Sequence, residues 1–354
     1  MKNKLQKLRQ NRQDKKLAKA EANDRMPRIT NETVATHREE VLKGARKYIY
    51  PLQHSKHKVV IITTTLFVAA LLSFATYCVV ALYKVQSTSS FLYRVTQVIP
   101  FPVARSGGDF IAYENYLFEL RHYMHYYETQ QKVGFETESG KQQLEDYKKR
   151  SIDKVVNDAL IKKIASTSSI TVTDQELEAQ ILAARNQNRL GGSSDVFEDV
   201  IKEYYGWSLN DFKRSLRAQM LEEKVNASLD TEAKSRLDIV MNSLASGTAF
   251  ADVAKQYSED DITKAAGGDF GIVDKSNTAA SPQTIETLFK LKQGETSAPI
   301  LISYDTGYAY EVIKSIENTG DKAKGAHIII RLKDVNSFLN DRKESQPVRR
   351  YINL

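Results

Sequence analysis

An uncharged segment of 25 residues, from Val59 to Tyr83, constrains this 354-residue chain more than any other feature. A helix that crosses a lipid bilayer needs about 20 consecutive, mostly apolar residues. The tail before it is basic, because residues 1–58 hold 16 Lys and Arg against 6 Asp and Glu, whereas the rest of the chain is slightly acidic. Since cytoplasmic flanks of membrane helices are rich in Lys and Arg, we expect a cytoplasmic N-terminus and an extracytoplasmic body.

Other interpretations of this N-terminal region fit less well. A cleaved signal peptide is disfavoured, because both the tail and the apolar run are too long and no A-x-A site follows. The tail could contact anionic lipid or nucleic acid, but a solvated tail that sets topology is the simpler explanation, and we expect no nucleic-acid partner. The single cysteine, Cys78, lies in the apolar segment. The body therefore has no disulfides and depends on its own core.

The first part of the body is predicted to be a stalk followed by helices. Residues 84–108 are mixed in composition and are predicted to be the stalk, which ends in an extended segment. Residues 109–230 are predicted to be helical, with an apolar face along 152–160 and helix starts at Thr173 and Ser208. His122 and His125 lie three residues apart in this region, but no third ligand is near, so no metal site is predicted.

The character of the sequence changes after Thr231. Two short apolar helical faces precede the stretch YSEDDITKAAGGDFG, at 257–271. A further short helix and strands at IETLFKLKQGETSAPILI, TGYAYEVIKSI and GAHIIIRL follow it. The acidic residues at 259–261 lack the ligand spacing of a calcium loop, and we expect neither a metal nor a cofactor. Residues 335–354 are predicted to form a C-terminal tail, with a helix and a basic end that packs back on the helical domain or, less favoured, mimics substrate in the cleft.

Two families are suggested by these segments. PVARSGGDFIAYENY, SITVTDQELEAQI and GWSLNDFKRSLRAQMLEEKV resemble the N-terminal domain of SurA/PrsA-type extracytoplasmic chaperones over about residues 100–230. FADVAKQYSED, GGDFG and LFKLKQGETSAPI, with the strand at 307, resemble a parvulin-type (PpiC) peptidyl-prolyl isomerase domain, assigned to residues 231–334. The fold implied is α+β: one transmembrane helix, an all-helical chaperone domain and a parvulin-like domain with a small antiparallel sheet.

The parvulin resemblance implies a set of site residues. Asp260 follows Tyr-Ser-x, where the family has a catalytic Cys or Asp, and His327 matches the histidine of the family's His-Ile-Leu strand. The resemblance implies a proline-binding pocket that includes Phe270, Ile285, Leu288 and Tyr308. The chain departs from the family at a second site position, where the family has a histidine and this chain has Ala309. The polar stretch DKSNTAASPQTIETLF also differs from the apolar pocket of the family.

The order of the segments departs from the family as well. A parvulin opens with the His-Ile-Leu strand, but here the strand KGAHIIIRLKD comes last. We interpret this as a circular permutation, with a truncated second repeat as the alternative. If the permutation is right, His327 and Asp260 should share one site although they are 67 positions apart.

The function implied is that of a membrane-anchored folding factor outside the cytoplasm. Its clients would be unfolded or partly folded exported polypeptides, and its reaction would be cis–trans isomerisation at X-Pro segments. The alternative is an inactive parvulin fold that only binds unfolded chains, as Ala309 and the polar pocket stretch would favour.

The topology gives a first prediction. A tag fused after Leu354 should be digested by protease added to intact cells or spheroplasts, whereas a tag at Met1 should be protected, because the basic flank stays in the cytoplasm. The opposite pattern of digestion would contradict the assignment, as would a mature chain that lacks residues 1–83.

Overall fold

The computed structural model describes residues 2–24, 29–49, 52–132, 134–186, 193–305 and 307–354. The chain divides into two compact units, residues 1–79 and 80–354. The first unit is helical and contains α1 (Lys2–Asp24), α2 (Asn31–Ile49) and most of α3 (Leu52–Tyr83). Within α3, the segment His57–Tyr83 has a mean hydropathy of 2.2, so it is long and apolar enough to cross a membrane.

The second unit contains helices and short strands. The helices are α4 (Ser90–Val98), α5 (Tyr113–Gln130), α6 (Glu138–Thr167), α7 (Asp174–Asn186), α8 (Ser194–Tyr205), α9 (Leu209–Leu229), α10 (Thr231–Ala245), α11 (Phe250–Tyr257), α12 (Pro282–Lys290) and α13 (Val335–Ser345). The strands are β1 (Pro102–Ser106), β2 (Asp109–Ala112), β3 (Asp269–Asp274), β4 (Ile300–Tyr304), β5 (Gly307–Asn318), β6 (Lys322–Arg331) and β7 (Val348–Arg350).

Local capping explains where several of these helices begin. At the start of α7, the Thr173 backbone amide donates to the Glu176 carboxylate at 2.8 Å, and Thr173 Oγ1 accepts from the Glu176 amide at 3.2 Å. Ser208 and Asp211 form the same reciprocal arrangement at the start of α9. Each pair satisfies amides that the first helical turn leaves without partners. Both helix starts predicted from the sequence are thus present.

The segment predicted to be a stalk differs from that prediction. Residues 84–108 contain α4, whose N-cap is Ser89, and β1, in which Val103 and Ala104 are fully buried. Leu92 on α4 is also fully buried. A stalk of this composition would leave these apolar side chains in water, so burial against neighbouring helices is favoured instead.

The C-terminal residues return to the helical part of the chain. β7 pairs with β1, and β1 pairs with β2, so that a three-stranded antiparallel sheet has the order β2-β1-β7. Asn157 on α6 donates a hydrogen bond to Asn336 on α13 at 2.8 Å. The helical region therefore includes a small sheet in addition to its helices, and residues 335–350 pack on it as the favoured interpretation predicted.

The second sheet has four antiparallel strands in the order β3-β6-β5-β4. β6 is thus an inner strand, with His327 opposite Ile313 of β5. One face packs against α10 and α11, where Ile328 and Ile330 meet Val240, Phe250 and Val253. The other face packs against α12, where Ile313 meets Ile285 and Leu288. Because side chains alternate along a strand, His327 is on the α12 face.

The fold class is confirmed: the chain is α+β, with an apolar helix near the N-terminus, a mostly helical middle and a small antiparallel sheet. The strand containing His327 lies inside the sheet formed by residues 269–318 and completes it. The circular permutation stays a prediction about how this order of segments arose.

The inner position of β6 gives a stability prediction. Ile328 is fully buried, so Ile328→Ala should lower the free energy of unfolding by about 2–5 kcal/mol, as core truncations do. Ile262 is 89% exposed, and Ile262→Ala should change that free energy by no more than about 0.5 kcal/mol. Urea unfolding followed by circular dichroism measures both. Equal effects of the two truncations would show that β6 is not part of the core.

Candidate active site

The loop after α11 contains Asp260, and hydrogen-bond donors surround its carboxylate. Its carboxylate accepts hydrogen bonds from Tyr304 Oη at 2.8 Å, from Thr263 Oγ1 at 2.5 Å and from the backbone amides of Ile262 and Thr263. His327 Nε2 lies 3.0 Å from Asp260 Oδ2. Asp260 is only 3% exposed. Since a buried carboxylate is costly unless donors surround it, these contacts are what permit its burial.

The double glycine brings this loop against β6. Gly268 has φ of +84°, and a Cβ at this position would lie 2.2 Å from the carbonyl oxygen of His327. The carbonyl of Gly268 in turn accepts the His327 amide at 2.9 Å. Only glycine permits both the backbone angle and the close approach. The GGDFG motif is therefore a structural requirement for placing the loop beside His327.

The imidazole of His327 lies between two acidic side chains. Its Nδ1 is 2.7 Å from Glu311 Oε1, and its Nε2 is 3.0 Å from both Asp260 Oδ2 and Thr263 Oγ1. Glu311 is 1% exposed, and its other oxygen accepts from Thr284 Oγ1 at 2.5 Å. A continuous chain of hydrogen bonds thus runs from the loop of Asp260, through the ring, to α12.

This arrangement shifts the pKa values of the ring and of Asp260. Burial by itself would lower the pKa of His327, but the hydrogen bonds and negative charges of Glu311 and then Asp260 more than offset it, and the pKa is raised. Burial by itself would raise the pKa of Asp260, but hydrogen bonds from Thr263, His327 and Tyr304 hold that pKa far below its usual value. The site therefore favours an imidazolium beside an ionised Asp260.

A cavity of about 310 Å³ opens in front of this network, and we call it the proline pocket after the residue that the parvulin resemblance implies for it. Its apolar walls include Phe270, Val273, Ala280 and Ile302, and its polar walls include Glu311 and His327. The Phe270 ring meets the His327 ring edge-on, with 5.1 Å between centroids. Pockets for small ligands have volumes of about 300–1,000 Å³. A proline ring with its flanking peptide groups fits this size and lining.

The polar stretch after β3 does not make the pocket polar. Asp274 Oδ1 accepts the Ser276 amide at 2.9 Å, and Asn277 Oδ1 accepts the amides of Ala279 and Ala280 at 3.0 and 3.1 Å. These side chains are used to fold the loop, as is common for Asp and Asn in turns. The two alanines then line the pocket.

Three of the predicted site residues meet in the structure, and three do not. Asp260, His327 and Phe270 lie together at the pocket. Leu288 is fully buried and Ile285 is 4% exposed, so both belong to the core beneath the sheet rather than to the pocket surface. Tyr308 lies on the opposite face of β5, where it packs with the α10 and α11 cluster. The alternation of side chains along β5 sends it away from His327.

The prediction for the second histidine also needs correction. Ala309 is fully buried beside Ile302 and Ile329 and does not touch His327. The residue of β5 that contacts the ring is Glu311, two positions later on the same face. The family's Gly-Tyr-His-Ile-Ile pattern was aligned with residues 307–311, but its Tyr-His-Ile-Ile part also aligns with Tyr310-Glu311-Val312-Ile313, and this register was missed. An acidic residue therefore stands where a second histidine was expected.

Other pocket residues gave no signal in the sequence. Tyr304 and Ile302 come from β4, and Thr284 comes from the first turn of α12. Their roles depend on the pairing of β4 with β5, where Ile302 lies opposite Ala309. The short strand ILISY contains no polar pattern that marks a site. These residues reach the pocket only through the pairing of the strands, which the local sequence does not specify.

The acidic neighbours of Asp260 have structural roles or face solvent. Glu259 accepts the Arg331 amide at 2.7 Å and lies 3.1 Å from Arg236. Asp261 is exposed, and Asp269 accepts the Gly271 amide at 2.8 Å. His122 and His125 contact the backbone carbonyls of residues 205 and 203. Within the described part of the chain, no group of three ligand-type side chains could hold a metal ion.

Comparison with known proteins agrees with this fold. The PPIC-type PPIASE domain family matches residues 220–317, and the SurA-like N-terminal domain family matches residues 52–226. The foldase protein PrsA of Caldanaerobacter subterraneus subsp. tengcongensis is 30% identical over 235 residues, which cover 61% of this chain and 70% of that protein. The PrsA of Latilactobacillus sakei subsp. sakei is 27% identical over 218 residues, which cover 49% and 70%.

A third relative has a different name. The putative peptidyl-prolyl cis-trans isomerase SurA of Haemophilus influenzae is 26% identical over 218 residues, which cover 46% of this chain and 66% of that protein. The chain belongs to the PrsA- and SurA-like foldases and carries a parvulin-type peptidyl-prolyl isomerase domain. The match to that domain ends at residue 317, before β6, so His327 comes to the site from outside the matched segment.

The ion pairs around His327 give a prediction about its titration. The unfolded-state pKa of a histidine is about 6.5, and in the folded protein we expect His327 to titrate above this value. Glu311→Gln keeps the size of the side chain but removes its charge, so the pKa of His327 should fall. Proton–carbon NMR of the imidazole rings measures it. Glu286→Gln, an exposed change on α12, is the matched control and should have no effect.

The same shift has a consequence for stability. A raised histidine pKa stabilises the fold fully below about pH 6.5, and this contribution is lost as the pH rises through the folded-state pKa. The unfolding free energy of the wild type should therefore fall more steeply over this range than that of Glu311→Gln. A wild-type pKa at or below 6.5, or one that Glu311→Gln leaves unchanged, would contradict the assigned charges.

Proposed function

We propose that this chain is a membrane-anchored foldase that isomerises X-Pro bonds of exported polypeptides at the pocket formed by Phe270, Ile302 and His327. The observation that carries the proposal is the convergence of Asp260 and His327, from segments 67 positions apart, beside an apolar pocket of the size of a proline residue. Its membership in the PrsA- and SurA-like foldases supports the reaction type and the class of client.

The chemistry requires the amide to lose its resonance for a short time. Rotation about the peptide bond has a barrier of about 18–20 kcal/mol, because the C–N bond has partial double-bond character. A planar amide has more charge separation than a twisted one, so an apolar wall around the X-Pro bond favours the twisted state. Phe270, Val273, Ala280 and Ile302 provide this wall in our proposal.

Polar groups at one side of the pocket would assist the rotation. A donor that approaches the imide nitrogen favours its pyramidal form, and a donor beside the carbonyl oxygen controls its orientation. Ser281 Oγ and Thr284 Oγ1 lie 2.7 Å apart at the pocket wall, next to Glu311. We assign to His327 the role of a fixed positive charge and shape-defining wall of the pocket, since both of its ring nitrogens already have partners within the protein.

Asp260 is proposed to be a positioning residue. Its carboxylate accepts from two hydroxyls and two backbone amides in addition to the ring of His327, and it is almost completely buried. A carboxylate with so many donors is a weak nucleophile and a weak base. Its contribution is to fix the orientation and charge of His327, as the orienting partners of catalytic histidines do.

The remaining parts of the chain fit a folding factor outside the cytoplasm. The helix that contains His57–Tyr83 would anchor the chain, with the basic tail in the cytoplasm. The helical region would hold clients, and the isomerase domain would act on the prolines they present. The alternative, a chaperone without turnover, is favoured by one feature: Glu311 in the place of a second histidine.

An isomerase assay separates these two functions. We expect the full-length chain in detergent to accelerate cis–trans exchange of a proline tetrapeptide in a protease-coupled assay. Asp260→Asn should reduce kcat/KM by at least about tenfold, equivalent to about 1.4 kcal/mol of transition-state stabilisation. The loss should be mainly in kcat, because the walls of the pocket are unchanged.

The neighbouring residue provides a matched control. Asp261→Asn makes the same chemical change one position later, at an exposed side chain, and should leave kcat/KM within about twofold of wild type. Circular dichroism should show that both variants are folded. A wild-type rate equal to that of the uncatalysed reaction would select the chaperone-only function. Equal losses in the two variants would contradict the role of Asp260.

A further inference from the structure

A second cavity adjoins the proline pocket, and we call it the side cleft. It has a volume of about 700 Å³ and lies between α7, the α8–α9 region and the loop before α12. The two cavities share Ala279, Ala280, Ser281 and Ser303 as lining residues. Gln219 of α9 donates a hydrogen bond to Ser303 Oγ at 3.3 Å, at this common wall. The two cavities are therefore neighbours, within reach of one extended polypeptide.

The floor of the side cleft is apolar and held in a fixed orientation. It includes Tyr205, Trp207, Phe212 and Leu216. The Trp207 ring stacks on Phe118, with 5.4 Å between centroids and 6° between planes, and its centroid lies 4.3 Å from that of His122. An aromatic surface that is already ordered loses little conformational entropy when a ligand binds.

The charge of the side cleft differs from that of the other cavities. Among its lining residues in the described part of the chain none is charged, although charged residues make up 27% of the sequence. By contrast, the proline pocket includes Asp305, Glu311 and His327. An ionised side chain placed in the cleft would lose hydration without gaining an oppositely charged partner, which is costly. The cleft therefore selects uncharged ligands.

We propose that the side cleft binds an apolar, uncharged side chain of the client, near the proline that occupies the proline pocket. The side-cleft proposal rests on one part of the proposed function, which is that the neighbouring pocket holds the proline. An extended chain advances roughly 3.3 Å per residue, so a spacing of about two to five residues from the proline spans roughly 7–17 Å. The isomerase would then prefer prolines in apolar stretches, which unfolded chains expose and folded proteins bury.

The composition of the chain provides a direct probe of the cleft. Trp207 is the only tryptophan in the sequence, so the emission of the full-length protein in a maltoside detergent reports on this site. The probes are tryptophan-free nonapeptides with one proline and one leucine, and the leucine stands at each of these spacings before or after the proline. Peptides whose leucine reaches the cleft should change the emission in a saturable way. The same peptides with lysine or aspartate in place of leucine should bind at least about tenfold more weakly, the equivalent of about 1.4 kcal/mol.

A charge introduced into the cleft, instead of into the peptide, also tests whether the cleft selects uncharged side chains. Gln219→Glu should weaken binding of the leucine peptide at least fivefold and should strengthen binding of the lysine peptide relative to wild type. Gln142→Glu is the matched control, because Gln142 is an exposed residue of α6 away from the cleft. It should leave both affinities unchanged. Lysine and leucine peptides that bind alike to the wild type, or a ratio of their affinities that Gln219→Glu leaves unchanged, would overturn the proposal.

The result can be separated from that of the isomerase assay. A proline tetrapeptide fills only the proline pocket and should be isomerised without a change in Trp207 emission. Activity on the tetrapeptide together with unresponsive Trp207 emission for every nonapeptide would overturn the side-cleft proposal alone. A saturable, leucine-dependent emission change without isomerisation would support the side cleft and reject the proposed reaction. An equal emission change with the tetrapeptide would show that Trp207 reports on the proline pocket, and would also overturn the side cleft.

Discussion

The position of β6 is the constraint on which the rest of the isomerase domain depends. This strand lies between β3 and β5, and its residues contribute to the core on both faces of the sheet. Its backbone at His327 also holds the glycine loop, through the hydrogen bond from the His327 amide to the Gly268 carbonyl. One strand from the C-terminal end of the chain thus completes the sheet, orders the Asp260 loop and carries the ring of the site.

Electrostatics then determine what this site can do. A single imidazolium between two buried carboxyl groups is stable only because hydroxyls and backbone amides satisfy the remaining oxygen atoms. The same contacts leave neither ring nitrogen free for proton transfer. Catalysis in our account therefore comes from shape, low polarity and fixed charge, which are sufficient for a reaction that breaks no covalent bond. The adjoining side cleft would add selection for apolar clients.

The sequence identified the local features of this protein better than those that depend on strand pairing. Capping residues such as Ser208, and the motifs around Asp260, predicted helices, domain types and the pairing of Asp260 with His327. Glu311 was missed because the strand GYAYEVIK fits the family pattern in two registers, and only the pairing of β5 with β6 distinguishes them. Tyr308 was assigned to the wrong face for the same reason. The segment 84–108 was predicted to be a stalk because its burial depends on partners that are distant in sequence, and the local composition does not reveal them.

The central claim is that Asp260 and His327 act as one unit, and a double-mutant cycle tests it most directly. The measurement is kcat/KM for a proline tetrapeptide with the wild type, Asp260→Asn, His327→Gln and the double variant. Residues that act as one unit show strongly non-additive effects. We expect the double variant to lose no more than about twofold beyond the worse single variant. Losses that multiply, so that the double variant shows the product of the two single effects, would contradict the account.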